Sequence, residues 1–248
     1  AEGDKIVNSA LKIVINGSFG KLGSKYSALY APDLMIGVTL TGQLSLLMLI
    51  EALENAHISV VSANTDGFVS LMRKGQYELY DSICFDWELS TGFELEENKY
   101  KALYSRDVNN YLAVTDHGTK GKGIFTLDSI AKNPQAPICV MAVIDYLEKG
   151  VEIENTIRGC KDLTKFLTVR KVTGGAVYKE QYLGRVVRWI YSTDGTTINY
   201  KKNGNKVAKS DGSRPMMELG EFPKDIDYER YIAEAMKILE DLGIKNLD

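Results

Sequence analysis

The sequence predicts an α+β fold: a small antiparallel sheet packed on helices, followed by a mostly helical second unit that carries a basic block. Three observations lead there. Apolar residues Ile6, Val7, Ala10, Leu11, Val14 and Ile15 recur at close to helical spacing. Two short β-rich runs flank the stretch Asn64-Thr65-Asp66-Gly67, and Asp-Gly between such runs signals a hairpin. Near the end, Asp227 to Leu242 repeats an amphipathic helical pattern.

Taken in order, the first helix runs from Asp4 to about Gly20, with Gly20 and Gly23 as stop signals. A second helix is expected from about Val38 to Ala56, rich in Leu and Met and therefore buried on most sides. Strands follow at Ile58 to Ala63 and Phe68 to Met72. Tyr77 to about Trp87 suits a helix, "KALYSRD" and "NNYLAV" suit strands, and "DHGTKGKG" reads as a loop between strands. Helical patterns resume after Pro134 through Leu147, and from Glu152 to about Leu167. No internal repeat or low-complexity tract is visible.

The chain has 248 residues, with 44% hydrophobic and 25% charged content, the composition of an ordinary soluble protein. Its longest apolar run, Leu44 to Ile50, is far too short to span a bilayer, so no membrane partner is expected. Ala1 is not a natural initiator, and no secretory signal is seen, so a longer parent chain in a cytoplasmic, reducing setting is expected. Cys84, Cys139 and Cys160 are scattered and odd in number, which gives neither a disulfide framework nor metal spacing. His57 and His117 are the only histidines, which disfavours a histidine triad or a zinc site. The net charge of −3 hides an asymmetry: Arg158 to Lys209 holds twelve basic and three acidic residues, +9 against −12 for the remainder. Such a block fits a polyanion partner as well as it fits a solvated lysine-rich surface.

On the first helix, Lys12, Asn16, Phe19 and Gly20 fall on one side. Asn8 and Lys5 extend the polar stripe toward the start. That side offers a cation, an amide, an aromatic ring and a gap without Cβ, a surface suited to a nucleoside triphosphate. A lone Lys–Asn pair is more often simply a solvated helix face. Asp66 has two readings as well. It can favour the turn, or it can aim a carboxylate at a metal ion.

The order of the motifs resembles family B (α-like) DNA polymerases. "KIVINGSFGKLG" is similar to that family's K-x-x-x-N-S-x-Y-G fingers motif, with Lys12, Asn16 and Gly20 matching, Phe19 at the Tyr position and Gly17 at the Ser position. "VTLTGQLSLLMLIEAL" resembles the helix that follows, with Thr41, Gly42 and Gln43 near its T-x-x-G-R start. "SANTDGF" stands where the family has its Y-G-D-T-D-S hairpin. "RDVNNYLAV" resembles the K-x-Y strand, with Asn109 at the Lys position and Tyr111 at the Tyr position. "KGKGIFTLDSIAKNP" resembles the K-x-K-G-x-x-x-x-R-R-D segment, and "KDIDYERYIAEAMKILEDLG" the end of the thumb.

The resemblance implies a polymerase palm with the last fingers helix over residues 1–126 and a thumb over 127–248. It implies templated addition of deoxynucleotides to a primer 3′ end by two-metal phosphoryl transfer with Mg2+. Primer-template DNA and dNTP would be the partners. Asp66 would be the metal ligand, and Lys12, Asn16, Phe19 and Gly20 the nucleotide face. Asn64 stands at the first Asp of the hairpin, and brings no negative charge. Gly67 replaces Ser and would permit positive φ in the turn. Asn109 and Tyr111 would lie near the primer. The upstream D-x-x-S-L-Y-P motif has no counterpart here, so an amino-terminal part of the polymerase is missing, and this stretch alone is expected to be inactive. Short, divergent motifs suggest a phage or viral source, hence the host cytoplasm. The rival readings are a non-catalytic nucleic-acid-binding module and a plain α+β interaction domain.

Overall fold

A proline at the first position of a helix costs no hydrogen bond, and Pro32 opens the second helix in that way. In the computed structural model, which describes residues 2–127 and 133–244, helix α1 (Glu2–Leu22) and helix α2 (Pro32–Asn55) come first. The hairpin strands β1 (Ser59–Asn64) and β2 (Gly67–Leu71) and helix α3 (Tyr77–Thr91) complete a first compact unit that ends at Glu97. Its core is small: Leu49 and Leu53 from the last turns of α2, Ile58, and Cys84 of α3, with Phe68, Tyr80 and Trp87 around them. The Trp87 indole N–H donates to the Ser45 carbonyl at 2.7 Å and ties α3 to α2.

The expectation that the second helix is buried on most sides is not met. It begins six residues earlier than the pattern suggested, and only Leu49 and Leu53 are buried along it. Leu34, Ile36, Val38, Leu40, Leu44, Leu47 and Met48 are all exposed. The hairpin and α3 cover α2 around Leu49 and Leu53, and α1 also lies against it. The whole of α2 is also longer than the apolar run read from sequence: by length and composition it is enough to cross a membrane. Many helices of soluble proteins share that length and composition, and Leu49 and Leu53 are fully covered by protein here.

The second unit runs from Asn98. Strands β3 (Ala102–Asp107), β4 (Asn110–Thr115) and β5 (Gly118–Lys122) form an antiparallel meander. Thus part of the expected "DHGTKGKG" loop is a strand. Helices α4 (Pro137–Lys149), α5 (Ile153–Gly159) and α6 (Tyr228–Asp241) pack with Leu112, Phe125, Phe166 and Ile190 in one core. The helix expected from Glu152 to Leu167 stops at Gly159; Asp162 then accepts the Thr164 N–H and starts a short 3-10 turn instead. At α6, Asp227 is the N-cap and accepts from the Arg230 N–H at 3.1 Å, while Tyr231, Ala235 and Leu239 form the buried stripe.

The α+β class is as expected, but the second half is not built of helices alone. It holds a four-stranded antiparallel sheet in the order β8-β6-β7-β9, made of β6 (Thr168–Tyr178), β7 (Gln181–Thr196), β8 (Asn199–Tyr200) and β9 (Ser213–Pro215). The sheet joins the helical core through Ile190 and Tyr191, and Val172, Ala176, Val187 and Trp189 pack with Ile198 and Val207. The fully buried Tyr231 hydroxyl accepts the Tyr191 N–H at 2.9 Å and donates to the Phe166 carbonyl at 2.8 Å, joining α6 to the sheet. The division at 126/127 is drawn by resemblance; packing divides the chain at 97/98. The segment likened to K-x-K-G-x-x-x-x-R-R-D crosses residues 128–132, which lie outside the described residues, as does the Lys5 side chain.

Candidate functional site

The hairpin tip is very short. Asn64 pairs with Gly67, so only Thr65 and Asp66 lie between the strands. The Asp66 N–H turns back to the Asn64 carbonyl at 2.6 Å, and the Thr65 hydroxyl donates to the Asn64 side-chain oxygen at 2.9 Å. The left-handed residue is Thr65, with φ of 43°, and not Gly67 as the sequence suggested. Gly67 sits in ordinary strand geometry, with open space where a Cβ would go. The turn thereby holds Asp66 at the apex, exposed, with no ion pair among the described residues.

A magnesium ion takes about six oxygen ligands. Among the described residues no group of three or more His, Cys, Asp or Glu side chains is placed to hold a metal. Asn64 has its side-chain oxygen engaged by Thr65. Asp66 therefore offers one anionic oxygen donor, and the residues here do not build a magnesium site by themselves.

Lys12, Asn16, Phe19 and Gly20 all lie within α1, at offsets of four, seven and eight residues from Lys12, and so share one face. All four are exposed. A Cβ at Gly17 or Gly20 would meet nothing within 4 Å, so neither glycine is there for packing inside this unit. The Lys12 ammonium has no carboxylate partner among the described residues. The face is open and able to receive an anion.

Asn109 and Tyr111 belong to the second unit. Tyr111 is in β4, opposite Ser105 on β3 and Lys122 on β5. Asn109 lies just outside the strand, in the β3–β4 turn, where its N–H donates to the Asp107 carboxylate at 2.9 Å. The Asn110 amide donates to the same carboxylate and, with that backbone bond, holds the Asp107 carboxyl below its ordinary value.

The glycines of "KGKG" explain how this turn is held. Gly123 is left-handed at φ of 64°, and a Cβ there would run into the Asn109 carbonyl and the Asn110 side chain. A Cβ at Gly121 would run into the backbone of Phe125. The chain after β5 can thus fold tightly against the start of β4, and the Asn110 side-chain oxygen accepts the Ile124 N–H at 3.0 Å. Lys122 is carried by this wrap and stands 6.0 Å from the Tyr111 ring centroid. Sequence reasoning placed Lys122 within the K-x-K-G match and gave it no role of its own. Its signal was the pairing of "KGK" with "YLA", which only the sheet register reveals.

The basic block is now a set of strands with two kinds of cation. The Arg170 guanidinium donates to the Ala208 carbonyl at 2.7 Å, and that of Arg188 to the Met217 carbonyl at 3.0 Å. Both are tied to backbone. Lys171 and Arg185 are exposed and unpaired among the described residues, and Lys165 is half-buried in the 3-10 turn.

With these positions established, comparison with known proteins bears on them. No family model matches the chain. Over 202 residues it is 25% identical to DNA polymerase 1 of Aeropyrum pernix, an alignment that takes in 81% of this chain. The chain is distantly similar to a DNA polymerase. It spans about a fifth of that relative's length. The similarity therefore reaches most of this chain, both units included, and leaves most of the polymerase without a counterpart here.

Proposed function

We propose that this chain is the carboxy-terminal part of a family B (α-like) DNA polymerase of phage or viral type, acting in the host cytoplasm. One observation carries the reading more than any other. An open helix face with Lys12, Asn16, Phe19 and Gly20 is followed in the chain by a two-residue hairpin tip that presents an unpaired carboxylate, Asp66. The similarity to an archaeal DNA polymerase over most of the chain supports it.

In this reading the Lys12 ammonium meets the phosphates of a deoxynucleoside triphosphate, and the Asn16 amide hydrogen-bonds to a phosphate oxygen. The Phe19 ring lies beside the sugar or base, and Gly20 leaves room for it. Asp66 supplies one oxygen donor at the reacting end. Asn109 and Tyr111 contact the primer-template. Magnesium ions, in a polymerase that binds them, stabilise the attacking and leaving oxygens of phosphoryl transfer. The further ligands that such ions require come from polypeptide outside these residues. The exposed apolar side chains of α1 and α2, Ile13 and Leu44 among them, are the surface for that polypeptide to cover.

The test has two arms. The 248-residue chain alone shows no templated nucleotide addition, and robust primer extension by it would refute the division of the site. In the full-length natural polypeptide, Lys12→Ala raises the apparent Kd for the incoming nucleotide at least about tenfold, the scale of a charge-assisted contact. An unchanged Kd would remove the nucleotide face. Asn64 and the lone carboxylate favour a second reading, a non-catalytic nucleic-acid-binding module. A divalent-ion titration of the full-length polypeptide separates the two, since only the catalytic reading predicts metal-dependent incorporation.

A further inference from the structure

A side-chain amide has two unlike ends, an oxygen that accepts hydrogen bonds and an NH2 group that donates them. At the hairpin tip the two ends of the Asn64 amide meet different surroundings. The oxygen accepts the Thr65 hydroxyl at 2.9 Å. The NH2 group has no partner among the described residues. Directly across the ladder stands Gly67, which has no side chain to take that group, and a Cβ there would meet nothing within 4 Å. Asn64 is half-buried, and Thr65, Asp66 and Gly67 are all exposed, so the space around the amide is open.

The turn itself sets this arrangement. Thr65 is held at φ of 43°, and the Asp66 N–H turns back to the Asn64 carbonyl at 2.6 Å. Both residues of the loop are thereby closed onto Asn64. A metal ligand at position 64 would need its oxygen free, and that oxygen is the end that Thr65 holds. Asn64 stands where the resemblance places a carboxylate. The exchange therefore does more than remove a charge: it puts a free donor where an acceptor is expected.

We propose that the Asn64 NH2 group donates a hydrogen bond to a non-bridging phosphate oxygen of the incoming nucleotide. A carboxylate in the same place would repel that oxygen unless a cation lay between them, whereas an amide donor meets it directly. Nucleotide binding at this tip thus depends less on magnesium than it would with aspartate at position 64. This contact rests on the nucleotide reading above and adds to it a residue that binds substrate and no metal. Asp66, two residues on, keeps the role of oxygen donor given to it there.

The test uses the full-length natural polypeptide on primer-template DNA whose primer ends in a dideoxynucleotide, so that nucleotide binds and does not react. The probe is the deoxynucleoside triphosphate complementary to the template base, and its Kd is measured over a magnesium series. Asn64→Ala raises the Kd at least about tenfold at every magnesium concentration, the scale of a hydrogen bond to a charged group. Asn64→Asp keeps the shape of the side chain and an oxygen for the Thr65 hydroxyl. It raises the Kd most at low magnesium, and the loss shrinks as magnesium rises to bridge the two anions. The contact is overturned if Asn64→Ala binds as the parent does. It is overturned equally if Asn64→Asp binds tighter than the parent across the series, as a metal-facing position would. Lys12→Ala in the same assay separates the two readings. A raised Kd there with silent Asn64 variants removes this contact alone, whereas a parent that binds no nucleotide removes both.

Discussion

Asn64 and Gly67 face each other across the β1–β2 ladder, which leaves Thr65 and Asp66 as the entire loop. The strain of so short a turn falls on Thr65, a β-branched residue held in the left-handed region at φ of 43°. The turn that holds the candidate ligand is thus bent by its neighbour.

Replacing Thr65 should therefore stabilise the hairpin. Asn tolerates left-handed backbone, so Thr65→Asn raises stability by about 0.5–1 kcal/mol, a part of the 1–2 kcal/mol cost of that conformation. Gly67→Ser is neutral, because open space surrounds the position. Thermal melts of both variants check this; a lower melting temperature for Thr65→Asn would place the strain elsewhere.

Gly123→Ala should be costly. It combines a left-handed backbone with a collision against the Asn109 carbonyl and the Asn110 side chain. A destabilisation of roughly 2 kcal/mol or more is expected, the sum of backbone strain and overpacking. Denaturant unfolding followed at Trp189, which is buried in the same unit, reports it.

Acid should weaken the second unit through Asp225. Its carboxyl is held below the ordinary carboxylate value by Arg214, which donates twice at 2.7 and 2.8 Å, and by the Ser192 hydroxyl at 2.6 Å. The folded state thus prefers the ionised form. The stabilisation is complete above the unfolded carboxylate value of about 3.9 and is lost as pH falls through the lower folded value. Arg214→Met is accordingly less stable than the parent near neutral pH, by roughly 1.5–3 kcal/mol for a charge-assisted contact. That gap narrows in acid. Melting temperatures of parent and variant over an acid series check it, and a gap independent of pH would contradict it.

The elements that could be read from sequence are those whose signals are local. Asp227 caps α6, and the Tyr231–Ala235–Leu239 stripe repeats every four residues, so helix and buried face were both visible. The β1–β2 hairpin was announced by its turn residues. Strand β5 was not, because Gly118, Lys120, Gly121 and Lys122 have little strand propensity, and only pairing with β4 makes them a strand. The ribbon β6–β7 was hidden by Gly174, Gly175 and Gly184, which break the alternation that marks a strand. Burial along α2 was misjudged for a different reason. Apolar residues such as Leu40 and Leu44 show that a surface seeks cover, and they do not show what covers it. For the site, spacing along α1 was enough to group Lys12, Asn16, Phe19 and Gly20, whereas the position of Lys122 beside Tyr111 depends on register between strands.

The central claim is that the carboxylate at the hairpin tip acts in nucleotide addition. Single-turnover incorporation of one nucleotide by the full-length natural polypeptide tests it most directly, with Asp66→Asn compared against the parent. The account predicts a rate lower by about a thousandfold, on the order of the 4 kcal/mol that a lost transition-state contact removes, with DNA affinity retained. An Asp66→Asn polypeptide that incorporates nucleotide at the parental rate would contradict it.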